Sequence, residues 1–125
     1  MKKVFISCPM KDRTRDAIEE SMLKMTEYAE NFLEEEIEVI PSYIEETPEN
    51  VKNEALWYLG ESIKKLSEAD VFVGMSAPYD YAGCHVETIA ARDYNIPIIS
   101  IPDDYIFTKK EREEFNKIEM SCTPF

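Results

Sequence analysis

The chain of 125 residues is poor in cysteine and contains no long hydrophobic run. Its three cysteines, Cys8, Cys84 and Cys122, are odd in number and have no paired spacing, which excludes a disulfide framework and favours free thiols in the cytoplasm. No apolar stretch approaches the roughly 20 residues of a membrane span. The apolar part of Met1–Ser7 is also too short for a signal peptide. We therefore expect a cytoplasmic protein without a membrane partner.

Basic residues are also scarce, with 14 Lys and Arg against 26 Asp and Glu and a net charge of −12. Such a surface repels DNA and RNA, because affinity for nucleic acid polymers comes mainly from neutralised phosphates. One local basic patch, Lys11–Arg15, could still bind a small anionic ligand. Solvated charge around a helix start is the other interpretation of that patch.

Apolar runs alternate with segments of helical periodicity, and 44% of the residues are hydrophobic. The runs predict strands at 1–7, 37–43, 70–75 and 96–101. Apolar residues at steps of three and four predict helices at about 13–33, 51–67, 84–94 and 108–118. Alternating strands and helices predict one α/β domain over 1–125, a Rossmann- or flavodoxin-like three-layer sandwich with parallel strands in the order 2-1-3-4. The tail 119–125 is a possible fifth edge strand or a docking arm.

In such a sheet, ligands bind beyond the carboxyl ends of the strands, here between strands one and three. The segments after strands one, three and four reach that crevice. Cys84 and His85 stand there, but adjacent residues on a helix point about 100° apart and no second Cys/His pair follows, so we expect no metal. The same geometry disfavours a Cys–His nucleophile pair.

Glu87 follows these residues, and the predicted helix start at Cys84 places it in the first turn. There the helix dipole favours an ionised carboxylate. Glutamate is common in first turns for that reason alone, so a purely structural role is open. Ser62 lies at the border of the buried face of the preceding helix and could look into the crevice. Phe5 and Ser7 end strand one, where core packing is their alternative role.

Three stretches together resemble the nucleoside 2-deoxyribosyltransferase family, and most closely a small, poorly characterised branch of it. They are "KKVFISCPM", "ESIKKLSEADVFVG" and "YAGCHVETIAARDYNIPIISI", within Lys2–Ile101. The most specific element is the step from Gly83 to Glu87, which continues into a helix of small residues and then "IPII". The resemblance implies that Glu87 is the nucleophile and attacks C1′ of a deoxyribosyl group.

The chain departs from the family pattern near this glutamate. Cys8 stands where the family usually has glycine, Phe5 where many members have tyrosine, and Ser62 where an aspartate often helps with the base or the sugar. Tyr81, beside Asp80, stands six residues before Glu87, where members often have aspartate or serine. The general acid for the leaving base therefore stays unassigned, with Asp80, Asp103 and Asp104 as candidates by location.

The resemblance predicts cleavage or transfer of the N-glycosidic bond of a nucleoside or nucleotide, without a cofactor, in a homodimer or larger homo-oligomer. The alternative is a nucleotide-binding or regulatory module of the same fold without catalysis. Glu87 and Ser62 are the candidate catalytic residues. The candidate substrate-binding residues lie at the ends of strands one and three and in the segments after them: Phe5, Ser7, Cys8, Met10, Lys11, Arg13, Gly74, Asp80, Tyr81 and Gly83.

Overall fold

A computed structural model describes residues 1–41 and 47–122. In this range strands and helices alternate along the chain, and the strands form one sheet with helices on both sides. Four strands make up the sheet: β1 (Lys2–Ile6), β2 (Ile37–Val39), β3 (Val71–Met75) and β4 (Ile98–Ile101). The helices are α1 (Arg15–Leu33), α2 (Glu54–Leu66), α3 (Ala82–Asp93), α4 (Asp103–Ile106) and α5 (Lys109–Cys122).

The strands are all parallel and follow the order β2-β1-β3-β4, as the sequence predicts. Val4 pairs with Val71, and Phe72 pairs with Ile98, so β3 lies between β1 and β4. Every residue of β3 is buried, which explains its uninterrupted apolar sequence. The chain order reverses between β1 and β3, and the crevice at their carboxyl ends is the position where sheets of this type bind ligands.

Side chains of successive residues in β1 point to opposite faces of the sheet. Val4 and Ile6 join the core that packs against α1, together with Met25 and Ala29. Phe5 points to the opposite face, where residues of α2 and α3 complete a second core: Leu66, Ala91, Ile63 and Ala90. The three layers follow from this period of two in the strands.

Several element boundaries differ from the sequence prediction. β2 ends at Val39, before Pro41, and residues 42–43 of the predicted strand lie outside the described residues. The helix α4, four residues long, lies in the segment after β4, for which the sequence analysis predicted no regular element. α5 continues through Glu119–Cys122, so this part of the tail is helical and not an edge strand, and the last three residues lie outside the described range.

Within residues 1–41 and 47–122, no helix is long and apolar enough to cross a membrane.

Candidate functional site

The segments after β1 and β3 meet at the carboxyl edge of the sheet, as topology requires. The Ser7 amide donates a hydrogen bond to the Val73 carbonyl at 2.8 Å, which extends the β1–β3 pairing by one residue beyond the strand. Asp103 of α4 accepts hydrogen bonds from the Ser76 hydroxyl and the Ala77 amide, at 3.2 and 3.1 Å. These bonds fix the loop from which α3 begins.

A buried hydrogen bond joins Ser7 to Glu87. The Ser7 hydroxyl donates to Glu87 Oε1 at 2.7 Å, across 80 residues of sequence. Both residues are buried, with 2% of Ser7 and 8% of Glu87 exposed. The structure therefore brings together two predicted site residues, one from the end of β1 and one from α3.

Glu87 occupies the second turn of α3, because the helix begins at Ala82 and not at Cys84. The prediction of a first-turn position was wrong, and the stabilisation of the ionised form by the helix end is correspondingly weaker. Burial raises the pKa of Glu87 from 4.5 to about 7, and the Ser7 hydrogen bond opposes this shift. The carboxyl group is therefore close to half-ionised at neutral pH.

Gly74 and Phe5 shape the wall of the sheet behind Ser7. A Cβ atom at Gly74 would lie 2.7 Å from Cε1 of Phe72 and 3.6 Å from Cβ of Ser7. The Phe72 ring fills this space and stacks on Phe5, with ring centroids 5.9 Å apart. Gly74 and Phe5 thus pack within the core, which is the alternative role considered for Phe5.

Gly83 lies inside the first turn of α3 with negative φ, so it is not a conformational requirement for the turn into the helix. A Cβ atom at this position would meet nothing within 4 Å. His85, two residues later, is half-buried, and its ring centroid lies 5.6 Å from that of Tyr79. Gly83 therefore leaves open space on the outer side of the helix start.

The two thiols near the site are buried in the core that packs against α1. Cys8 and Cys84 are 7% and 5% exposed and are free cysteines. Burial raises the pKa of Cys8 to about 11 and that of Cys84 to about 12. Because the thiolate is the nucleophilic form, neither residue is activated for attack at neutral pH. In the described part of the chain, no group of three or more His, Cys, Asp or Glu residues could hold a metal ion.

Arg13 is buried and fully engaged within the protein. Its guanidinium pairs with Glu111 through Nε and Nη2, both at 2.8 Å, and its side chain is 2% exposed. Nη1 donates to the Pro9 carbonyl at 2.7 Å, and Nη2 also donates to the Ser21 hydroxyl at 2.6 Å. The predicted role of Arg13 in substrate binding is corrected, because each of its nitrogens already has a protein acceptor.

Glu111 and Ser21 are structural residues of this region that the sequence analysis missed. Glu111 accepts from the Thr108 amide at 3.0 Å while its own amide donates to the Thr108 hydroxyl at 3.1 Å, a reciprocal cap at the start of α5. The sequence signal was present as Thr-x-x-Glu at 108–111. Ser21 donates to the Ile106 carbonyl at 2.6 Å and thereby ties α1 to α4.

A cleft of about 450 Å³ opens beside this network, between the segment after β1, the start of α3 and α5. Four predicted site residues are among those that line it: Lys11, Arg13, Asp80 and Tyr81. Lys11 and Asp80 are exposed, and Tyr81 is half-buried against Phe107. Glu87 is not among the described residues that line the cleft.

Ser62 and Met10 lie outside the contacts described so far. Ser62 is half-buried on α2, and within the described residues it does not join the Ser7–Glu87 hydrogen bond. Met10 is 48% exposed at the end of the segment after β1. Their predicted roles stay predictions.

A larger depression of about 700 Å³ lies at the opposite, amino-terminal edge of the strands. Its lining residues are Met1, Lys2, Glu35, Glu36 and Asp70. It is remote from Ser7 and Glu87 and mostly acidic, so we place the candidate site at the carboxyl edge despite the larger volume here.

Comparisons of the chain with protein-family models, curated proteins and solved structures each find no match. The fold and the site together define a Rossmann-like α/β protein with a buried, serine-bound carboxyl group at the carboxyl edge of its sheet.

Proposed function

We propose that this protein cleaves or transfers the N-glycosidic bond of a nucleoside or nucleotide, with Glu87 as the nucleophile. The observation that carries the proposal is the hydrogen bond from Ser7 that fixes the Glu87 carboxyl group at the switch point of the sheet. The motif resemblance to nucleoside 2-deoxyribosyltransferases supports the same residue.

The reaction has two displacement steps at C1′ of the sugar. A carboxylate oxygen of Glu87 attacks C1′, the C1′–N bond breaks, and its electron pair leaves with the base, which takes up a proton. A second base or a water molecule then attacks C1′ and gives up a proton to the group that had protonated the leaving base, and the ester bond to Glu87 breaks with return of its electron pair to the carboxylate. This retaining route passes through oxocarbenium-like transition states.

The raised pKa of Glu87 makes its ionised form the stronger nucleophile in the first step and the poorer leaving group in the second. At a pKa of about 7, a substantial fraction is ionised at neutral pH. Positive charge developing at C1′ favours the ionised form further. We expect the rate of the first step to rise with pH until Glu87 is fully ionised.

Asp80 is the best-placed candidate for the proton that the leaving base requires. It lines the cleft next to Tyr81, whereas Asp103 is already bound to Ser76 and Ala77. With Arg13 engaged, Lys11 is the remaining predicted cleft residue that could contact a 5′-phosphate. A preference for monophosphates over nucleosides therefore depends on Lys11.

A specific observation favours the second candidate, a nucleotide-binding module without catalysis. The described lining of the 450 Å³ cleft includes Lys11 and Tyr81 but not Glu87. In that case nucleotides raise the melting temperature of the parent protein and of Glu87→Gln, and neither protein releases base.

Incubation with a panel of deoxynucleosides and their 5′-monophosphates, followed by chromatography for free base, separates these functions. We expect base release or exchange by the parent protein and its loss in Glu87→Ala and Glu87→Gln. Glu68→Ala, at an exposed position after α2, is the matched control and retains the activity. Undiminished base release by Glu87→Ala would contradict the proposal.

The buried free thiols Cys8 and Cys84 also support a reducing compartment, and we propose the cytoplasm as the location.

A further inference from the structure

We infer that Ser7 is a positioning residue that holds Oε1 of Glu87 and leaves Oε2 as the attacking oxygen. This inference rests on the proposed function only where it names the reaction. The orientation of the carboxyl group by Ser7 is a property of the protein itself.

The first support is the assignment of the two carboxylate oxygens. In the described part of the chain, no buried side-chain nitrogen or oxygen lacks a hydrogen-bond partner. Among the described residues, the Glu87 carboxyl group forms its hydrogen bond through Oε1, to Ser7. The other oxygen, Oε2, has no partner among these hydrogen bonds and is therefore not fully buried, so it is the oxygen left for attack while the bond to Ser7 is kept.

The second support is that the fold does not require the Ser7 hydroxyl. The backbone of Ser7 continues the sheet through its amide, which is bonded to Val73. The neighbouring strand presents Gly74, which has no side chain to bind the hydroxyl. Ser7 is 2% exposed, and its hydroxyl donates to the buried Glu87 carboxyl group and also interacts with the Cys84 thiol on the same helix, so its direct effect on Glu87 is to orient that group.

The third support is the electrostatic surroundings of the pair. Cys84 on α3 and Cys8 after β1 are the nearby thiols, and both stay protonated at neutral pH because burial raises their pKa. From α2, the residues packed into the adjoining core are the apolar Ile63 and Leu66. Arg13 after β1 is paired with Glu111, and no cation is among the causes of the shift in the pKa of Glu87. The Ser7 hydrogen bond is thus the interaction that opposes the effect of burial on the pKa of Glu87.

The test is a ¹³C NMR titration of the side-chain carboxyl groups, with the Glu87 signal assigned from its absence in Glu87→Gln. We expect a midpoint near 7 in the parent protein and a rise of roughly one to two pH units in Ser7→Ala, because a bond to a charged acceptor is lost. Ser7→Thr restores the parent midpoint, and Ser7→Cys, a weaker donor of similar shape, gives an intermediate value.

Ser21→Ala is the matched control, because Ser21 is equally buried and hydrogen-bonded but contacts α4 and Arg13. The Ser21→Ala variant loses a buried hydroxyl, and we expect the midpoint of the Glu87 titration to be unchanged in it. An unchanged midpoint in both Ser7→Ala and Ser7→Cys would overturn the inference, whatever the effect on stability.

The activity assay separates this inference from the proposed function. If the parent protein releases base, Ser7→Ala should shift the acid limb of the pH–rate profile upward by the same interval as the NMR midpoint. Base release with an unshifted profile in Ser7→Ala would overturn the role of Ser7 and leave the proposed function standing. A shifted NMR midpoint in a protein that releases no base would support the role of Ser7 and contradict the proposed function.

Discussion

At the scale of single residues, the pair of Ser7 and Glu87 is the most informative feature of the chain. Most buried carboxyl groups have a cationic partner, because burial of an unpaired charge is costly. Glu87 has a neutral hydroxyl partner, and its pKa is raised to about 7. The folded protein therefore binds a proton at Glu87 more tightly than the unfolded chain does.

This difference predicts a pH dependence of stability. Between pH 4.5 and 7 the folded state holds the Glu87 proton that the unfolded chain has lost, so the free energy of unfolding falls as pH rises, by about 3 kcal/mol in total. Glu87→Gln has no ionisable group at this position and should lack this contribution. The difference in the free energy of unfolding between Glu87→Gln and the parent protein should therefore grow up to pH 7 and be constant above it. Denaturant unfolding at a series of pH values measures this, and parallel curves for the two proteins would contradict the assignment.

The sequence pointed to Glu87 but not to its surroundings. Motif and topology predicted Glu87 and Ser7 near the crevice, whereas the contact between them depends on the direction in which the residue after β1 points. Arg13 shows more clearly what the sequence alone does not predict. In sequence it belongs to an apparently solvated basic patch, but its side chain is 2% exposed and binds Glu111, 98 residues later. Contacts at that separation leave no local pattern.

At the scale of elements, the ion pair between Arg13 and Glu111 connects the segment after β1 to the start of α5. The Glu111 side chain is 16% exposed and also caps α5 through Thr108. The Arg13 guanidinium and its hydrogen bond lower the pKa of Glu111 to about 2. The resulting stabilisation is fully present above the ordinary pKa of the carboxyl group and is lost as pH falls towards 2.

Removal of Arg13 should therefore be costly. We expect Arg13→Ala to lower the free energy of unfolding by roughly 3–5 kcal/mol at neutral pH, because Glu111 and Ser21 lose a buried partner. Arg15→Ala is the control: Arg15 also pairs with a glutamate, Glu19, but its side chain is 90% exposed, so we expect a change within about 0.5 kcal/mol. Equal effects of the two substitutions in urea denaturation would contradict the buried role of Arg13.

Two glycines within regular elements give a matched comparison. Gly74→Ala places a Cβ atom 2.7 Å from the Phe72 ring, and we expect a loss of about 1–3 kcal/mol from overpacking. Gly60→Ala in α2 meets nothing within 4 Å and should stabilise the helix by up to about 1 kcal/mol. Thermal unfolding of the two variants checks this, and a neutral Gly74→Ala would show that the ring moves freely.

The elements were more predictable than their ends. Apolar runs and amphipathic periodicity predicted the alternation of strands and helices, and the usual topology of such chains gave the correct sheet order. The start of α3 was misplaced by two residues, since glycine was interpreted as a loop residue although Gly83 fits a first helical turn. The helix α4 has four residues, too few to show a helical period.

At the scale of the whole molecule, the net charge of −12 dominates interactions at a distance. The exposed cations at the candidate site include Lys11 and Lys110, but Asp80 and Glu114 line the same cleft. The site can therefore receive a small ligand with one anionic group more readily than a polymer of phosphates.

We expect no binding of labelled single- or double-stranded DNA by fluorescence anisotropy at low salt, where electrostatic attraction is strongest. A derivative of this chain with a basic tag is the positive control for the assay. Binding that weakens linearly with the logarithm of salt concentration would contradict this expectation.

The central claim, that Glu87 forms a covalent bond to the sugar, is tested most directly by trapping the intermediate. The protein is incubated with 2′-deoxy-2′-fluoronucleosides, whose electron-withdrawing fluorine disfavours the oxocarbenium-like transition states of both steps, and is then examined by intact mass and peptide mapping. The predicted result is one added fluoropentosyl group on Glu87, which is absent from Glu87→Gln. Release of base from natural substrates by a protein that forms no adduct, or an adduct on any other residue, would contradict the claim.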